Sequence, residues 1–107
     1  MKRMVLLSLL LAGCGTPDSL PASRNADGSV YIAPVCRAHE AELKALNVPV
    51  RDMPRELMPG ADGQYVPSMR LILIRAGLTG WYREDVELHE RCHAWLHATT
   101  GNPVFHK

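Results

Sequence analysis

The chain has 107 residues, 47% of them hydrophobic and 21% charged, with a formal net charge of +1. That length allows one domain at most, too small for a multi-lobed enzyme. With 12 basic residues against 11 acidic, there is no electrostatic basis for a nucleic-acid surface or for drawing in acidic substrates.

The first element is a leader. Met1-Lys2-Arg3 is a basic start, and Met4 to Leu11 is an apolar run well short of the ~20 residues that span a bilayer. It ends in Leu11-Ala12-Gly13-Cys14, which resembles the lipobox of bacterial lipoproteins. The resemblance implies that residues 1–13 are a signal peptide, that Cys14 is lipidated, and that the chain is anchored in the bacterial cell envelope facing the periplasm. Gly15 rather than Asp after the cysteine implies the outer membrane over the inner. Acyl methylenes contribute about 0.8 kcal/mol each when buried, so a lipid anchor needs no spanning helix. Processing takes away Lys2 and Arg3, leaving 10 basic against 11 acidic residues and a net charge of about −1.

Residues 14–28 follow as the lipidated cysteine and a flexible tether, rich in Gly, Pro, Ser, Asp and Asn. The folded domain is expected over 29–107. Ser29 to Val35 has a short β-branched character limited by Pro34. Cys36 to Leu46 predicts a three-turn helix, strong in helix formers and ended by Asn47 and Pro49. From Val48 to Pro67 four prolines and the turn-rich Pro59-Gly60-Ala61-Asp62-Gly63 predict little regular structure beyond a helical turn near Arg55 to Met58. Met69 to Ile74 reads as a strand. After the Gly77 and Gly80 loop, a helix is expected from Tyr82 or Arg83 to about Thr100, with Glu84, Asp85 and Glu87 favouring its N-terminal end and Gly101 its stop.

That last helix carries the chemistry. His89-Glu90-Arg91-Cys92-His93 puts two histidines four residues apart, one turn between them on one helical face. Both fall within an apolar stripe containing Leu88, Cys92, Trp95 and Leu96, while Arg83, Glu84, Glu87 and Arg91 lie opposite. Two imidazoles in a buried stripe need polar partners, and one shared metal ion serves both. Hydrogen bonds to backbone would be the plainer solution. Cys36 and Cys92 remain as an even pair for an oxidising compartment; a disulfide and two buried thiols both stay open, and Cys92 points about 100° away from its neighbour His93, against a shared ion.

The run His89-Glu90-x-x-His93 resembles the H-E-x-x-H motif of the zinc-dependent metallopeptidases, the zincins. Together with the strand at Met69 the resemblance covers the chain from that residue to its end. It implies Zn2+ on His89 and His93, Glu90 as general base, and hydrolysis of a peptide or protein substrate. The implied fold is α+β: a minimal zincin-like domain with a small, mainly antiparallel sheet, an edge strand on the motif helix, and one N-terminal helix. Met69 to Ile74 would be that edge, pairing with an extended peptide. Tyr65, Tyr82, Arg83 and His97 are candidate donors to an oxyanion.

The third ligand departs from the family's patterns: Thr99 stands where a closely spaced histidine would be, and no Asp or Glu follows Glu90. His97 lies about 12 Å along the helix from His89, while two nitrogens on one zinc are only ~3–4 Å apart. His106 can return to the site if Gly101-Asn102-Pro103 reverses the chain, since five extended residues span at most about 17 Å. His39 and Asp62 are the upstream alternatives. The competing functional readings are a non-catalytic zinc-binding lipoprotein and a structural envelope lipoprotein or phage lysis-type factor in which the motif is incidental.

Overall fold

The computed structural model describes residues 29–104. Cys14, the expected leader (1–13) and tether (14–28), and His106 lie outside them. The described chain is a small α+β unit: helices α1 (Pro34–Ala38) and α2 (Glu40–Ala45), strand β1 (Val50–Met53), a 3₁₀ turn at Arg55–Leu57, strands β2 (Gly63–Val66) and β3 (Leu71–Arg75), and the long helix α3 (Gly80–Thr100). Among the described residues no helix is long and apolar enough to cross a membrane.

The helix expected from Cys36 to Leu46 is divided at His39. Its backbone leaves helical geometry (φ −123°, ψ 33°), and its N–H bonds Cys36 O rather than Val35 O. The His39 side chain takes the vacated place, with Nδ1 donating to Val35 O at 3.0 Å. A side-chain donor has displaced the main chain from its own carbonyl.

Two strands form where prolines predicted irregular chain. The prolines flank these strands instead of interrupting them, with Pro49 just before β1, Pro54 just after it and Pro67 just after β2. Pro49 has no N–H to give, yet its carbonyl accepts from Ile72 N at 3.0 Å. The sheet order is β1-β3-β2, with β1 parallel and β2 antiparallel to β3. It is therefore mixed, not mainly antiparallel, and β3 is the central strand rather than the edge expected of Met69 to Ile74. Centrality suits its sequence: Ile72, Leu73 and Ile74 are all buried, and such an apolar run needs cover on both faces.

Alternation along the strands separates two layers. Ile72, Ile74 and Tyr65 face α3 and join Val86, Leu88, Cys92 and Leu43 in the main core. Leu73 and Val66 face the other way, onto Met58 and its neighbours. Register Gly63↔Ile74 and Tyr65↔Ile72 puts Gly63 on the α3 side as well. α3 begins two or three residues earlier than expected and stops at Gly101, whose φ of 82° is the left-handed cap an L side chain resists.

Candidate metal centre

α3 brings His89, Glu90 and His93 into the interior, each no more than 2% exposed. The imidazole centroids are 5.0 Å apart at an interplanar angle of 75°. His89 Nδ1 lies 2.7 Å from Tyr31 O, and His93 Nδ1 lies 2.7 Å from Pro103 O. A carbonyl can only accept, so each Nδ1 carries the proton, and in the neutral ring each Nε2 keeps its lone pair. This is the tautomer a metal ligand needs, set by the bond at the other nitrogen. The ligand atoms offered by His89, Glu90 and His93 all lie within 4.8 Å of one another, and Glu90 Oε2 is 4.0 Å from His89 Nε2. Two imidazoles oriented through Nδ1 beside a carboxylate are a donor set that fits a divalent transition metal.

The remaining expected residues are distributed as follows. His39 stacks on Trp95 and pairs with Glu42, and Asp62 accepts hydrogen bonds from Arg75 and from the Tyr82 hydroxyl. Neither joins the metal-capable group. His97 shares a 2.7 Å hydrogen bond with the hydroxyl of buried Tyr65, and so belongs to the β2 side of the helix. Tyr82 is held by Asp62. Arg83 is held by Asp52 and Glu87, and its pKa is raised by the Asp52 hydrogen bond, against partial desolvation, with Glu87 assisting. Cys36 and Cys92 are joined in a disulfide, with Cα atoms 5.7 Å apart.

Three contributors carried no advance signal or were read otherwise. The carbonyls of Tyr31 and Pro103 are invisible to residue-type reasoning, because every residue has one. Gly63, read as part of a turn, is the first residue of β2 and lies against Glu90. A lone glycine in a short strand is the general sign of another group approaching the backbone closely.

Past Gly101 the chain does turn back, bringing Pro103 to His93. His106 itself lies outside the described residues. No protein-family model, no curated protein and no solved structure matches this chain.

Proposed function

We propose that this chain is a zincin-like, zinc-dependent metallopeptidase carried on the bacterial envelope by lipid at Cys14. The observation that supports this most is the pair of histidines, four residues apart, each with Nδ1 donating to a main-chain carbonyl, whose ligand atoms lie with a carboxylate oxygen of Glu90 within 4.8 Å of one another. Bound zinc would polarise a substrate carbonyl and bring the pKa of water near 7. Glu90 accepts the proton from attacking water and returns it to the leaving amine. His89 and His93 would hold the ion. His106 is the third ligand in this reading: Pro103 is already at His93, and the three residues onward reach about 10 Å. The disulfide agrees with an oxidising compartment such as the periplasm.

One observation favours a second reading, a zinc clip without turnover. His89 and Glu90 are 2% exposed and His93 is fully buried, which leaves a substrate little direct access. Zinc content of protein purified without added metal, with turnover of a mixed peptide library, separates the two. The peptidase reading expects zinc in the parent, loosened in His106→Ala, and a Glu90→Gln variant that keeps zinc while turnover falls by about 10²–10⁴-fold. Zinc without turnover in the parent, with Glu90→Gln indifferent and His89→Ala unfolded, identifies the clip. A parent free of zinc ends both.

A further inference from the structure

We propose that Gly63 is a positioning residue for Glu90: the bare backbone of β2 is the wall that sets where the Glu90 carboxylate stands. This deepens the metal-centre reading and rests on it. A Cβ built at Gly63 would lie 2.7 Å from Val86 Cγ1, 3.0 Å from Glu90 Cγ and 3.1 Å from Glu90 Oε2. Conformation does not require the glycine. Gly60, Gly77, Gly80 and Gly101 adopt positive φ, whereas Gly63 does not and sits in regular strand. Space against α3 is what its missing side chain provides.

Neither backbone can easily retreat from an added methyl. β2 is held by pairing to β3, by Arg75 N on Asp62 O, and by the Asp62 carboxylate bound to Arg75 and Tyr82. α3 is held by the Cys36–Cys92 bond and by Arg91, which donates to Leu43 O and Leu46 O. The two side chains in contact must therefore give. Val86 is buried and β-branched, with a stiff χ1 on a helix, while Glu90 has more torsions to turn. A side chain at position 63 thus moves the carboxylate away from its place 4.0 Å from His89 Nε2 and leaves the histidines, held by other carbonyls, where they are.

The test uses the full chain loaded with cobalt(II), whose visible spectrum reads the solvent and carboxylate around the ion without any substrate. Parent, Gly63→Ala, Glu90→Gln and the double variant Gly63→Ala/Val86→Ala are compared at one pH. The double variant removes the closest clash, so a folding failure of Gly63→Ala alone does not decide the matter. The expected result is that the folded Gly63 variants retain the parent's cobalt stoichiometry and take on the spectrum of Glu90→Gln. A parental spectrum in the folded variants, or loss of cobalt from them, overturns the positioning role while the metal-centre reading stands. A parent that takes up no cobalt overturns both.

Discussion

Each imidazole at the centre has two nitrogens with different duties. Nδ1 is assigned by a carbonyl at 2.7 Å, and that assignment leaves Nε2 as the atom that could take a metal. The Tyr65–His97 pair lies on the neighbouring strand and helix face, with the phenol 1% exposed and its hydroxyl hydrogen-bonded. Tyr65→Phe keeps the ring and deletes that bond. The expected cost is about 1 kcal/mol, seen as a lower urea midpoint with an unchanged slope. A cost near zero would mean that the hydroxyl gains nothing over its interaction with water.

Five consecutive residues of α3 tie the helix to five separate parts of the chain. His89 bonds the segment before α1, Glu90 meets β2, Arg91 caps the end of α2, Cys92 is bridged to α1, and His93 bonds the segment after Gly101. The motif is thus also the assembly point of the fold. The disulfide closes a separation of 56 residues, worth about 4 kcal/mol by unfolded-chain entropy. Cys36→Ala/Cys92→Ala should lose stability of that order in denaturant melts. It should also loosen Tyr31, five residues before Cys36, from His89, so affinity for the proposed zinc is expected to fall by about 10–100-fold, the usual effect of losing an orienting partner. Competition against a chelator measures this, and unchanged affinity would mean the Tyr31 carbonyl holds its place without the bridge.

At the scale of the whole molecule, a three-stranded sheet and one long helix offer a modest core, and small domains of this kind depend on staples. The proposed metal would act on the same helix as the disulfide, so chelation under reducing conditions should lower the thermal midpoint well beyond either treatment alone. Metal at 100 times its Kd contributes about 2.7 kcal/mol, and each kcal/mol moves a domain of this size by about 4–8 °C. A midpoint that does not move under both treatments would refute the clasp. The motif helix, its end at Gly101, the reversal to Pro103 and the turn near Arg55 were legible because each depends on residues close in sequence. Strands β1 and β2 were hidden by their prolines, whose meaning depends on whether they fall within a strand or at its ends. The place of β3 at the centre was hidden too, since an apolar run states that both faces are covered but not which strands lie beside it. By itself the sequence determined that two imidazoles and a carboxylate share one helix, because a spacing of four is a local property of the backbone. Only the tertiary structure decided which carbonyls orient those imidazoles and which strand stands against the carboxylate. Those partners come from up to 58 residues away and are main-chain groups, with no residue type to announce them.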